Sequence, residues 1–240
     1  MPFWNDENTK IVKDEEHVAY LMENGVKFNY GSLVDERDGE VYCTVKIGNQ
    51  VWMAENLRYV SRGGNADDDV GSFVYGEVAK NVAKFGRLYT WAAAMNLDPR
   101  YNDAELDGGR LAKIAAGEYQ GIAPEGWHIP SEDEWHELCE YLRSLEDDAP
   151  GTMLKAADCW EECLGSRPGK DSVGFAGIPS GGRYSMGFFY DLNKHAYYWT
   201  STSTGREYAR YRSLGFRGGK IGADFSYKTD AFAVRCVKNG

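Results

Sequence analysis

The stretch Gly181–Cys236 reads GGRYSMGFFYDLNKHAYYWTSTSTGREYARYRSLGFRGGKIGADFSYKTDAFAVRC. Six tyrosines fall between Tyr184 and Tyr211, with Phe188, Phe189 and Trp199 among them. Aromatic and β-branched residues broken by Gly, Asn-Lys and Thr-Gly predict strands joined by turns. In Tyr208–Leu214 alternation puts Tyr208, Arg210, Arg212 and Leu214 on one face and Ala209, Tyr211 and Ser213 on the other. The charge also changes sign here. Residues 181–240 carry ten Lys/Arg and four acids, a net of +6 in a chain of −10, so residues 1–180 carry −16. Tyr and Arg anchor binding surfaces because they combine large contact area with polar tips. The stretch is therefore either a recognition face or the last strands of a sheet whose arginines pair with the acidic remainder.

Upstream, Ser131-Glu132-Asp133-Glu134 is a capping box. Trp135, Leu138, Cys139, Leu142 and Leu145 follow at helical spacing, an amphipathic helix of about four turns with a core face. From Leu33 the period is two. Val41, Cys43, Val45 and Ile47 alternate with Tyr42, Thr44 and Lys46 between the turns Asp38-Gly39 and Gly48-Asn49, and Val51-Trp52-Met53 continues a β-meander with one buried face. Gly86–Trp91 reads as a strand or turn feeding a short helix at Ala92–Asn96. Asn102–Gly121, with Gly108-Gly109 and Gly117, reads as irregular. Asp14 caps a short amphipathic helix ending at Gly25, so residues 1–32 form an N-terminal extension and residues 33–240 the domain.

Composition narrows the function. At 240 residues with 42% hydrophobic and 14% aromatic content, the chain has the means for a sizeable core. No run reaches the ~18 apolar residues of a membrane span, and the first residues lack a signal-peptide pattern. The pI near 5.0 argues against a nucleic-acid partner. Cys43, Cys139, Cys159, Cys163 and Cys236 are an odd count in a long chain, which fits reduced thiols and a cytoplasmic chain as synthesised, one bridge remaining open. Asp67-Asp68-Asp69 lacks the alternation of a calcium loop and reads as a solvated acidic loop. Cys159-x3-Cys163 is too poor in soft ligands for a metal site and reads as packing around Trp160. No cofactor is expected.

Six blocks occur in order: DGEVYCTVKIGNQVWMAENL (38–57), KFGRLYTWAAAM (84–95), APEGWHIPSEDEW (123–135), FAGIPSGGRY (175–184), YYWTSTS (197–203) and FAVRCVK (232–238). Together they closely resemble the Fibrobacter succinogenes major paralogous domain family over residues 33–239. The resemblance implies an α+β, C-type-lectin-like fold: small twisted antiparallel sheets, two main helices and long loops, grouped with the formylglycine-generating enzymes and the variable proteins of diversity-generating retroelements. It also implies display at a cell surface, by secretion or on a virion. Trp52, Trp91, Trp127, Trp135 and Trp199 read as core anchors. His128, between Trp and Pro, reads as a structural donor. Where family members often carry cysteine this chain has Val82 and Ala123, leaving Cys236 without its partner.

Three functions follow as expectations. The first is a non-catalytic recognition module for a protein or carbohydrate ligand, possible contacts being Tyr184, Tyr190, Asn193, His195, Tyr208, Arg210, Arg212 and Tyr227; a retroelement variable protein is a variant of it. The second is an enzyme of the formylglycine-generating type, since Arg217-Gly218-Gly219 is similar to that group's Arg-Gly-Gly motif. Its copper chemistry needs a C-terminal cysteine pair, and only Cys236 is there. The animal-lectin calcium triplets are missing as well; Trp4-Asn5-Asp6 spells one outside the domain. The third is an assembly role, with oligomerisation through the N-terminal extension.

Overall fold

The computed structural model describes residues 30–60, 71–117, 119–145 and 148–240. The expected Asp14–Gly25 helix and the Asp67–Asp69 loop lie outside them.

The meander forms as its turn signals require. β1 (Tyr30–Asp35), β2 (Glu40–Ile47) and β3 (Gln50–Met53) pair antiparallel, Val34 opposite Val41 and Val45 opposite Trp52. Gly39 and Gly48 sit in their turns at φ 75° and 61°, where a β-carbon is strained. The expected single buried face is corrected: Cys43, Val45 and Ile47 face one core, while Tyr42, fully buried, faces another. Its hydroxyl accepts from the Arg58 amide at 3.0 Å, which satisfies the phenol oxygen inside.

Beyond the meander the strands are β4 (Ser72–Phe73), β5 (Leu88–Thr90), β6 (Trp127–His128), β7 (Ser180–Arg183), β8 (Phe189–Leu192), β9 (His195–Ser203), β10 (Tyr208–Gly215), β11 (Gly222–Tyr227), β12 (Ala231–Phe232) and β13 (Val237–Lys238). The helices are α1 (Asn81–Phe85), α2 (Trp91–Ala94), α3 (Gly108–Ala115), α4 (Glu132–Leu145) and α5 (Pro150–Leu154). Among the described residues one sheet runs β1-β2-β3-β13-β6 and the other β11-β10-β9-β7-β12-β5-β4, with β8 on β7. Pairing is antiparallel apart from β7 on β9 and two isolated bridges. The chain is thus α+β with mainly antiparallel sheets. One 14-residue helix dominates, beside one of eight residues and three of four or five.

That dominant helix, α4, starts at the capping box. Ser131 Oγ accepts from the Glu134 amide at 3.2 Å, and Glu134 Oε2 accepts from the Ser131 amide at 2.8 Å. Trp135, Leu138, Cys139 and Leu142 are buried, but Leu145 is 53% exposed, so the apolar stripe ends one turn early. The irregular reading of Asn102–Gly121 is corrected by α3. Asp107 caps it at 2.9 Å through the Arg110 amide, and the two glycines occupy the first turn, where helical propensity matters least.

Two cores result. In the first, Trp52, Trp135, Phe175 and Tyr198 pack ring on ring, Trp52–Trp135 at 4.9 Å and Trp135 stacked on Tyr198 at 5.8 Å. The second holds Tyr42, Tyr89, Trp91, Trp127, Trp199, Phe232 and the α2 alanines. The Trp91 indole donates to the Thr200 carbonyl at 2.9 Å and Trp199 to the Tyr89 carbonyl at 2.7 Å, locking β5, α2 and β9 together. All five expected tryptophan anchors are buried. Arg235, at 0% exposure, bridges the cores, donating to Asn56 Oδ1 at 2.8 Å and to the carbonyls of Met53, Phe175 and Ala176.

Candidate functional site

The strands β9, β10 and β11 carry most of the residues singled out from the sequence. β10 pairs β11 with Tyr208 opposite Tyr227 and Arg210 opposite Phe225, so these four share a face with Arg212. Between Ala209 and Tyr211 the register to β9 shifts, as Ser203 and Trp199 oppose them. Three β9 residues, Thr200–Thr202, thus stand opposite the single Arg210, and β10 keeps its alternation.

On that face three rings cluster. Tyr208 lies 4.6 Å from Tyr227 and 5.5 Å edge-on from Phe225, while Phe225 and Tyr227 are 53% and 50% exposed. Cross-strand aromatic pairs of this kind stabilise a two-stranded edge and still present ring surface to solvent. The half-buried Arg210 makes no side-chain hydrogen bond or ion pair with a described residue. Phe225 is the member that sequence reasoning missed. It lies one position from the acidic Asp224 on a strand whose register was unknown.

Arg212 behaves differently. It forks onto Glu132 at the start of α4, at 3.2 and 2.7 Å, and its side chain is only 11% exposed. It ties β10 to α4, the pairing with the acidic remainder that the sequence held open.

The other candidates lie on the opposite face. Tyr184 stacks on Tyr190 at 4.1 Å, Tyr190 lies 5.7 Å from Tyr197, and Tyr197 meets Tyr211 edge-on at 5.7 Å. Tyr190 lies directly over Gly182, where any β-carbon would come within 2.8 Å of its phenol end. His195 stacks on Tyr197 at 5.6 Å, its Nδ1 3.1 Å from Asp191 Oδ2 but out of line for a hydrogen bond. Tyr197 donates to the same carboxylate oxygen at 2.6 Å. Asn193, at φ 63°, sits at the β8–β9 turn: its amide donates to the Pro179 carbonyl and its own carbonyl accepts from the Glu161 amide at 2.7 Å. Its role there is conformational, Asn being among the few side chains that tolerate this backbone.

His128, Cys236 and Cys159 are each engaged or sealed. His128 bonds Glu134 Oε1 through Nε2 at 2.6 Å and Asn239 Oδ1 through Nδ1 at 2.7 Å, a ring fixed at both ends. Cys236 is at 0% exposure, and burial drives its thiol far above the ordinary range. Ala123 is fully buried in the same core. Burial pushes the Cys159 thiol up to about 12, and the Trp160 indole donates to the Gly177 carbonyl at 3.2 Å, consistent with packing. Among the described residues no three His, Cys, Asp or Glu side chains gather as a metal would require. A cleft of about 630 Å³ is lined by Val34, Asp35, Glu36, Arg37, Gln120 and Glu125, with a bidentate Arg37–Asp35 pair in its wall. No described helix is long and apolar enough to cross a membrane.

No curated protein and no solved structure matches the chain at a significant level. A family profile does, from the second strand of the meander to the last strand. Residues 45–238 match the Fibrobacter succinogenes major domain, and the chain belongs to that family.

Proposed function

We propose that the chain is a non-catalytic recognition domain of C-type-lectin-like fold that holds a protein or carbohydrate ligand on the β10–β11 face. What supports the fold assignment is the arrangement: an opening meander, one long capped helix, and aromatic strands that return through both sheets to the last residues. What supports the binding face is one observation. Tyr208, Phe225 and Tyr227 present packed, half-exposed rings around Arg210, a guanidinium with no partner among the described residues. A charge left unpaired beside ordered aromatic surface is what a partner's hydrogen-bonding groups complete. Aromatic stacking would serve a sugar ring and the guanidinium its hydroxyls; the same pair would serve a peptide.

The test is binding to glycan and protein arrays by wild type, Arg210→Ala and Tyr227→Ala, with folding checked by denaturant midpoints. We expect both variants to fold as wild type and to lose at least about fivefold in affinity, a hot-spot loss of roughly 1 kcal/mol or more. Unchanged binding by both would overturn this face. The narrower reading, a retroelement variable protein displayed on a cell or virion, is tested in the neighbouring DNA. It requires a reverse-transcriptase gene and a near-copy of the coding sequence for Tyr184–Tyr227.

A further inference from the structure

The face of β9–β11 opposite Arg210 has its own chemistry. Tyr184, Tyr190, Tyr197 and Tyr211 form a continuous row of rings, with Phe232 behind them stacked on Tyr197 at 5.0 Å. The hydroxyls of Tyr184, Tyr190 and Tyr211 make no hydrogen bond with a described residue. Carboxylates border the row. Asp224 lies directly across from Tyr211, is exposed, and among the described residues takes a hydrogen bond only from the neighbouring Phe225 amide at 2.9 Å. Asp230 is buried, held by the Ser185 amide at 3.0 Å and the Ser226 hydroxyl at 2.7 Å. Neither meets a cation among the described residues. Asp191 is shared by Tyr197 and His195. Burial, then the charge of Asp230, pushes the Tyr190 hydroxyl well above the ordinary phenol range, so that ring stays neutral.

Arg210 and Arg212, which flank Tyr211, point to the other face, and three further cations of the segment are turned to other work. Arg183 lies over Phe73 at 3.9 Å, Lys194 reaches Glu161 at 3.7 Å, and Lys228 is buried against Trp91. Neutral π faces beside unpaired carboxylates attract a cation doubly, through the ring quadrupole and through direct charge. The wall is open along one side, where Met186 and Phe188 at the tip of the β7–β8 hairpin are 78% and 68% exposed. A small molecule is bound tightly by enclosure, and an open wall beside exposed apolar side chains suits a protruding side chain whose own protein covers the rest.

We infer that this wall is a docking site for a basic side chain, lysine or arginine, of a polypeptide partner, with Asp224 as the charge partner and Tyr184 and Tyr211 as the ring contacts. It is independent of the β10–β11 face: the two lie on opposite sides of the same strands and have opposite charge.

The test is NMR titration of the full chain with three capped pentapeptides, Gly-Gly-Arg-Gly-Gly, its lysine analogue and its citrulline analogue. Citrulline keeps the planar shape of arginine and removes the charge. We expect millimolar binding of the charged peptides, shifts centred on Tyr184, Tyr190, Tyr211 and Asp224, and at least tenfold weaker binding of citrulline. Asp224→Asn and Tyr184→Ala are exposed changes and should each weaken binding about two- to fivefold. Equal binding of the citrulline peptide, shifts located elsewhere, or unchanged affinity in both folded variants would overturn the assignment. So would no shift at 20 mM peptide, about the weakest affinity an exposed site of this kind should show.

Discussion

Replacing Arg212 with alanine separates the architecture of the C-terminal strands from their recognition surface. Its guanidinium makes two charge-assisted hydrogen bonds to Glu132, at 3.2 and 2.7 Å, with side chains 11% and 24% exposed. Exposed ion pairs contribute about 0.2–1 kcal/mol, and breaking a fully buried one costs about 3–5 kcal/mol. This pair lies between, and removing the donor leaves a half-buried carboxylate in the first turn of α4, partly relieved by the helix dipole. The expected loss is therefore about 2 kcal/mol, or about 4–8 °C in Tm at 2–4 °C per kcal/mol for a chain of this size. Arg210→Ala should change stability by no more than about 0.5 kcal/mol. Urea titrations of both variants, of Glu132→Ala and of the Arg212→Ala/Glu132→Ala pair supply the comparison. The double-mutant cycle should return a coupling of about 1–2 kcal/mol. A wild-type midpoint for Arg212→Ala, or an equal loss for Arg210→Ala, would refute the division of labour between the two arginines. A combined Arg210/Arg212 variant would mix unfolding with lost binding.

Three further outcomes follow from buried geometry. Burial opposes charge on His128, but the bond to Glu134 and its negative charge outweigh it and hold the ring's pKa above 6.5, while that bond holds Glu134 below 4.5 against its own burial. The histidine's contribution is complete below pH 6.5 and is lost as pH rises through its higher folded value; the glutamate's is present above pH 4.5 and lost as pH falls. Wild type should thus lose stability as pH rises above about 6.5, and His128→Gln should flatten that slope; a slope unchanged in the variant would count against the pair. Lys228, at 0% exposure, donates to the carbonyls of Gly205 and Arg206 at 2.7 and 3.0 Å over the Trp91 ring at 4.6 Å. Lys228→Met should cost about 2–4 kcal/mol because those carbonyls lose their donor, and a calorimetric loss under 1 kcal/mol would contradict it. Gly86→Ala should cost more than about 2 kcal/mol, since φ is 72° and its β-carbon would stand 2.6 Å from Asn56 Cβ and 2.9 Å from the Leu57 carbonyl oxygen; a wild-type midpoint would contradict the close approach.

The meander and the α4 helix were legible because their signals are local. Turn glycines, alternation and a capping box each act within a few residues, and the structure returns them where the spacing puts them. What was not legible is which of two cores a side chain enters. Tyr42 looked outward by alternation, yet a second layer buries it completely. Asn102–Gly121 hid α3 because the two glycines lower propensity without saying that they occupy a first turn capped by Asp107. The site suffered the same limit. Alternation along β10 placed Tyr208 and Arg210 on one face, but only the β10–β11 register adds Phe225 and only tertiary packing assigns Arg212 to Glu132. Nor does spacing along the chain show that Tyr184 and Tyr190 meet Tyr211 across two strands.

Summed charge is the poorest guide to what these strands bind. The +6 of residues 181–240 suggested a positive surface, yet seven of its ten cations are already engaged. Arg206, Arg212 and Lys194 pair with Asp103, Glu132 and Glu161, all upstream, so basic C-terminal residues hold the acidic remainder in place. Arg235 and Lys228 are internal, bonded chiefly to backbone carbonyls, while Arg183 and Arg217 lie over Phe73 and Phe216. The charge of Arg235 and Lys228 is therefore sealed inside the fold. The acids show the reverse: Glu207, Asp224 and Asp230, three of the four in the segment, meet no cation among the described residues. Over a few ångströms, local charge outweighs the net charge of a segment, which salt screens within about 10 Å. The same three strands thus offer one free cation among rings on one face and unpaired carboxylates beside rings on the other. Charge reversal at Arg210 and at Asp224 should consequently alter binding to different partners.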